Sequence, residues 1–169
     1  IGEFHREAWV TRAGGVDAYS RQGQFSGWVI GASGPISARL YDKTLEIHQK
    51  KHKAYLLELW RMAGMKPDLP VLRLEFQLRR EVLEQLAVRS FSGLLRNQGG
   101  IWQYATHEWL RLTKPLAGDS NRGRWPTHPL WAQLGEVLWR LDDVPLKRQY
   151  SAARIPAQDR LFRLFIALL

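Results

Sequence analysis

The sequence predicts an α+β fold: an antiparallel sheet of about four strands with helices packed on one face and a helical C-terminal region. Three observations carry that expectation. Ile36 to Lys43 and Val71 to Leu78 each alternate polar and apolar residues with the period of two of a half-buried strand. Two shorter β-prone runs ahead of them are separated by turn compositions, and the segments after each long strand change to apolar spacings of three and four.

His5 to Arg12 reads as a first short strand, with Ala8 and Val10 alternating with Glu7, Trp9 and Thr11, broken by Gly14-Gly15. Val16 to Ser20 and Phe25 to Ile30 flank Arg21-Gln22-Gly23-Gln24 and form a predicted hairpin. Ala32-Ser33-Gly34-Pro35 turns the chain into the strand that carries Tyr41. From Thr44 the spacing of Leu45, His48, Tyr55, Leu56, Leu59, Trp60 and Ala63 predicts a helical region ending at Gly64. After the loop at 66–70 comes the strand Val71 to Leu78, which leads into a helix over Arg79 to Leu86. Ser90 to Arg96 and Ile101 to Leu112 read as further helices jointed at Gly99-Gly100, with Trp102, Ala105, Trp109 and Leu112 as an apolar stripe of the core type. Pro115 to Arg124 is a polar loop, Thr127 is placed to cap a helix running to about Leu141, and the chain at 142–156 has little pattern. Arg160 to Leu169 returns to helical spacing. The expected division is an α+β domain over 1–113 and a helical extension over 114–169.

Composition narrows the function. Of the 169 residues, 45% are hydrophobic and 24% charged, the ordinary balance of a globular protein that buries a core. Lys and Arg number 25 against 16 Asp and Glu, a formal charge of +9 that favours polyanionic partners, with nucleic acid ahead of an anionic membrane. There is no cysteine, which excludes disulfides and cysteine-ligated zinc. No apolar run approaches the ~20 residues of a membrane span and no signal peptide is recognisable, so the expected location is cytoplasmic and no membrane partner is expected. The chain opens on Ile-Gly-Glu-Phe without a methionine, as a fragment, a processed product or an expression scar would. Serine-hydrolase elbows, P-loops and dinucleotide fingerprints are absent.

What remains is the polar face of two strands. Side chains two apart share a face, so Arg39, Tyr41 and Lys43 point one way from the first, and Arg73, Glu75 and Gln77 point one way from the second. Neighbouring cations favour the phenolate that a tyrosine attacking phosphate requires. The competing reading is a half-exposed sheet whose solvent face simply alternates. Lys50, Lys51 and Lys53 lie close behind Tyr41 and are either a solvated face or contacts to a nucleic-acid backbone. Arg73 and Arg79 extend the same candidate surface. Arg122 and Arg124, with Trp125 between pinning a helix and stacking on an unpaired base, are candidates further on. His48 and His52 stand at metal-ligand spacing without a third ligand nearby.

The segments A-R-L-Y-D-K-T-L-E-I (38–47) and V-L-R-L-E-F-Q-L-R-R-E-V-L (71–83), in that order, resemble the replication initiation factor family, which comprises rolling-circle plasmid replication initiators and related relaxases of conjugative elements. The resemblance spans positions 25 to 131. It implies a DNA nickase in which Tyr41 attacks an origin phosphodiester and releases a 3′-hydroxyl, with Arg39 and Lys43 holding the scissile phosphate. It implies Mg2+ or Mn2+ as cofactor with Glu75 as a ligand, and as partners an origin or transfer-site hairpin, single-stranded at the nick, with a helicase and a second copy of the chain as further candidates. The family's metal site also draws on acidic residues in a strand preceding these motifs, for which 1–39 offers no counterpart; weak metal binding and poor nicking are the corresponding expectation. A non-catalytic DNA-binding module or a truncated remnant is the alternative.

Overall fold

The computed structural model describes residues 5–21, 23–49, 53–66, 69–139 and 144–150. Its centre is a four-stranded antiparallel sheet in the order β2-β3-β4-β5, with β2 at Val16–Arg21, β3 at Gln24–Ile30, β4 at Ile36–Asp42 and β5 at Leu72–Leu78. The expected hairpin and both long strands are present, joined in sequence order except for the helices α1 (Lys43–Gln49) and α2 (Tyr55–Met62), which intervene between β4 and β5. The alternation read from the sequence sets the faces. Ile36, Ala38 and Leu40 of β4 are buried, as are Trp28 and Ile30 of β3, while Leu74, Phe76 and Leu78 of β5 pack against them.

A helical layer covers this apolar face: α3 (Arg80–Gln85), α4 (Phe91–Arg96), α5 (Gln98–Gln103), a π-helical turn at Tyr104–Trp109 and α6 (Pro129–Gly135). Aromatic rings join the layers. Trp9 meets Trp28 at 6.2 Å between ring centroids and Trp131 edge-on at 5.4 Å, and Phe76 meets Trp102 at 5.6 Å and Trp109 at 6.1 Å. Two of the indoles find backbone carbonyls: Trp131 Nε1 donates to Thr106 O at 2.8 Å and Trp102 Nε1 to Leu134 O at 2.7 Å.

Several elements differ from expectation, each for a tertiary reason. Leu110–Leu112 is not helix but β6, which pairs with β1 (Trp9–Thr11) as a separate two-stranded antiparallel sheet, Trp9 opposite Leu112. The helix of the apolar stripe ends at Trp109, where the π turn releases the chain to pair with a strand about a hundred residues earlier. Gly99 and Gly100 are not the joint between helices but the buried first turn of α5; the joint is Asn97. The segment from 144 crosses so close to Gly100 that a Cβ there would collide with Val144 O and stand 2.7 Å from Leu146 Cγ. The long helix expected from Leu45 is split into α1 and α2, and the stripe on α2 is open to solvent, with Tyr55 62% and Leu59 52% exposed. α6 ends at Gly135, short of Leu141, and its cap is His128, whose Nδ1 accepts from Leu130 N at 3.3 Å; Thr127 instead pairs with Thr113 in an isolated bridge. The helix expected over Arg160 to Leu169 lies outside the described residues.

Trp131 is the ring most dependent on the assembled layers, since it touches Trp9 and bonds the π turn. Trp131→Ala is expected to cost about 3–5 kcal/mol in denaturant unfolding, from lost burial, a cavity and an unpaired Thr106 carbonyl. Leu130→Ala, its exposed neighbour, is expected to change stability by about 0.5 kcal/mol or less.

Candidate active site

The outer face of the sheet brings the sequence-predicted residues together through register. β4 and β5 are hydrogen-bonded neighbours with Arg39 opposite Glu75 and Tyr41 opposite Arg73. Directly opposed residues in an antiparallel pair share a face, so four polar side chains from two strands form one cluster. Tyr41 Oη donates to Glu75 Oε1 at 3.1 Å, and the same oxygen is in an ion pair with Arg73 Nε at 2.6 Å. Arg39 is exposed and makes no hydrogen bond or ion pair among the described residues. The cluster opens into a pocket of about 180 Å³ lined by Tyr19, Ser26, Arg39, Tyr41, Asp42, Leu45, Glu46 and Glu75.

Lys43 is not on this face. β4 ends at Asp42, whose Oδ1 accepts from Leu45 N at 2.9 Å and caps α1, so the backbone turns helical at Lys43 and the period of two stops. The Lys43 side chain is buried at 2% exposure and its ammonium bonds Glu46 Oε2 at 2.6 Å, while Lys53 bonds the other oxygen of Glu46 at 3.1 Å. Lys43 Nζ still lies over the Tyr41 ring, 5.6 Å from its centre, rather than beside the phenol oxygen.

The electrostatics of the phenol run opposite to the expectation of cationic activation. Burial, followed by the charge of the Glu75 carboxylate and its hydrogen bond, pushes the Tyr41 phenol up to about 12, with Arg73 opposing. Burial is the larger part of the reason and pairing the rest: Arg73 is matched by Glu75 and Lys43 by Glu46, so these two cations are largely neutralised before they act on the phenol. Glu46 moves the other way. The hydrogen bond from Lys43, helped by Lys53 and opposed by burial, holds its carboxyl at about 2.

Among the described residues no group of three His, Cys, Asp or Glu is arranged to hold a metal ion. Glu75 offers one carboxylate, already paired with Arg73, and His52, the expected partner of His48, lies outside the described residues.

The remaining DNA-contact candidates divide. Lys50 and Lys51 lie outside the described residues, and Lys53 is drawn to Glu46. Arg79 donates to Ser33 O at 2.9 Å, at the end of β4 away from Tyr41. Arg122 is a structural clamp, its Nη2 bonding the carbonyls of Glu7 and, at 2.6 Å, Trp9, with its guanidinium 5.7 Å from the Trp125 ring. Trp125 is buried and its indole donates to Asp119 O at 2.8 Å, so it pins the chain, and the base-stacking alternative fails there. Arg124 is exposed.

Sequence reasoning missed Asp42 and Glu46. An aspartate directly before an apolar-periodic run is a helix N-cap signal, which would have ended the strand one residue earlier and taken Lys43 off its face. Tyr19 and Ser26 had no local signal; β2–β3 pairing alone carries them to the pocket.

No family model matches the chain, and no curated protein is significantly similar to it. Among solved structures, a rolling circle replication initiator protein from Geobacillus stearothermophilus is similar at a TM-score of 0.49 and 20% identity, over 85% of this chain and 49% of that one. The chain thus spans about half the length of the structure it matches. A likeness this distant bears on neither activity nor substrate.

Two outcomes follow from the charges. In a 13C-tyrosine NMR titration Tyr41 should be the phenol that ionises near 12, and Glu75→Gln should bring it down toward 10, since the carboxylate charge that opposes the phenolate is removed. Glu46 has a folded-state value below its unfolded one, so its contribution is present above about 4.5 and is lost as pH falls toward 2. Glu46→Gln is therefore expected to cost about 3 kcal/mol at neutral pH, because Lys43 is left buried without its partner, and to flatten the loss of stability across that acid range.

Proposed function

We propose that the chain carries the tyrosine nucleophile of a DNA-nicking reaction of the rolling-circle initiator or relaxase type. The observation that carries the reading is the Tyr41 cluster: a phenol on a central strand, hydrogen-bonded to Glu75, with the Arg39 guanidinium, unpaired among the described residues, on the same face and an open pocket above. The resemblance of the Tyr41 and Glu75 segments to the replication initiation factor family supports it, as does the formal charge of +9.

In this reading Tyr41 Oη attacks the phosphorus of a single-stranded phosphodiester. The Oη–P bond forms, the bond from phosphorus to the 3′-oxygen breaks, the phenol proton leaves to a base, and the departing oxygen takes a proton from solvent to become the 3′-hydroxyl. Arg39 meets a non-bridging phosphate oxygen, and Arg73, cross-strand from Tyr41, is the second cation in reach once phosphate competes with Glu75. Lys43 takes no phosphate; it supports the ring from behind. Mg2+ or Mn2+ belongs to the proposal with Glu75 as the carboxylate contributed by this chain, and when bound such an ion polarises a phosphoryl oxygen. The described residues do not supply the rest of its ligands. A helicase, a second copy of the chain and a cytoplasmic site of action belong to the same proposal. No helix among the described residues is long and apolar enough to cross a membrane.

A second reading has its own observation. A phenol held near 12, with its neighbouring cations paired, suits a non-catalytic DNA-binding module or a remnant whose tyrosine no longer reacts.

Incubation with single-stranded and hairpin oligonucleotides, with and without Mg2+ or Mn2+, separates the two. The nicking reading expects a covalent adduct that mass spectrometry maps to Tyr41, lost in Tyr41→Phe while affinity stays within about twofold; Glu75→Gln should remove the metal-dependent part. An adduct on Tyr19, Tyr55, Tyr104 or Tyr150 would overturn the choice of nucleophile. Binding without any adduct would favour the second reading. Both expect affinity to fall steeply with salt, log K decreasing by about 0.7 per phosphate contact for each decade of salt, and a flat dependence would remove nucleic acid as the ligand.

A further inference from the structure

One row of register-matched positions crosses the outer face of the whole sheet: Tyr19 on β2, Gly27 on β3, Tyr41 on β4 and Arg73 on β5. Gly27 is the odd member, because a glycine inside a strand costs backbone entropy and offers nothing to pack. Its reason is space. A Cβ at Gly27 would collide with Leu40 O, and it would stand 2.9 Å from Tyr41 Cβ and 3.0 Å from Tyr19 Cε1. The Tyr19 ring lies over the bare glycine backbone, in the place a side chain would take, beside the root of the Tyr41 side chain.

The chain also aims that ring. The β2–β3 register shifts between Tyr19 and Ser20, which leaves Ser26 of β3 as the extra residue facing them. Ser26 Oγ, on the facing strand, donates to Tyr19 O at 3.3 Å. Tyr19, Ser26 and Tyr41 all line the 180 Å³ pocket. Tyr41 is thereby bounded on three sides: Tyr19 across Gly27, the Glu75 carboxylate at its hydroxyl, and the Lys43 ammonium over its ring.

We infer that Tyr19, seated on the bare backbone of Gly27, is a positioning residue that confines the Tyr41 side chain to the one orientation in which its hydroxyl faces the pocket. The catalytic meaning of this rests on the nicking reading; the confinement itself does not. In-line attack on phosphorus tolerates little displacement of the nucleophile, and an error of about 1 Å costs on the order of 100-fold in rate. Arg39 and the remaining phosphate contacts do not depend on Tyr19, so its loss should act on the chemical step and leave binding alone.

The test uses the chain with 13C-labelled tyrosine rings, the Tyr41 signals being assigned by their absence in Tyr41→Phe. Tyr19→Ala should shift the Tyr41 ring signals and narrow them as the ring gains motion, whereas Tyr19→Phe, which keeps the ring, should leave them near their wild-type positions. With an oligonucleotide substrate, Tyr19→Ala should lower the single-turnover rate of adduct formation by 10- to 100-fold with the half-saturating concentration within about twofold, and Tyr19→Phe should restore the rate. Should Tyr19→Ala fail to fold, Tyr19→Leu reads the same quantities with the same outcomes deciding. Unchanged Tyr41 signals on losing the Tyr19 ring, or a defect expressed only in half-saturation, would overturn the inference. If the wild-type chain forms no adduct at all, the nicking reading fails while the ring signals still decide whether Tyr19 holds Tyr41.

Discussion

The pairing of β4 with β5 is the constraint on which the rest depends. In this register Arg39 faces Glu75 and Tyr41 faces Arg73, while Leu40 and Ala38 meet Leu74 and Phe76 on the buried side. A slip of one residue would put Tyr41 into the aromatic core and an aliphatic side chain into the pocket. The tryptophan-rich layer beneath the sheet therefore does more than add burial. By rejecting polar side chains from one face, it fixes which residues meet on the other.

The site assembled above that core is held by competing pairs. Arg73 attends Glu75, Glu75 accepts from Tyr41, and Lys43 and Lys53 share Glu46. Each pair satisfies a group that would otherwise be costly to bury or half-bury, and together they hold the phenol protonated. In the proposed nicking reading, a phosphate would offer Arg73 a second anion and would give Arg39 a partner that it lacks among the described residues.

The strand pattern, the helix-rich remainder, the loop at Pro115 to Arg124 and the pairing of Tyr41 with Glu75 as candidates were all legible in the chain, because a period of two and a period of 3.6 are local properties. So was the excess of basic residues, a formal charge of +9. The end of β4 was legible too, since Asp42 stands where an N-cap belongs, and reading it would have placed Lys43 in the helix.

What the tertiary structure alone decided was non-local. The helical spacing through Leu112 gives no hint that Leu110 to Leu112 leaves the helix to pair with Trp9 to Thr11, since the partner strand lies at the other end of the chain. Nor does any neighbouring residue reveal that Tyr19 comes to lie beside Tyr41, because the contact runs through two inter-strand registers and the absence of a side chain at Gly27. The sign of the effect on the phenol was hidden for the same reason. Sequence shows which charges lie near Tyr41, whereas only the fold shows that the phenol is partly buried and that Arg73 and Lys43 have already met their carboxylates.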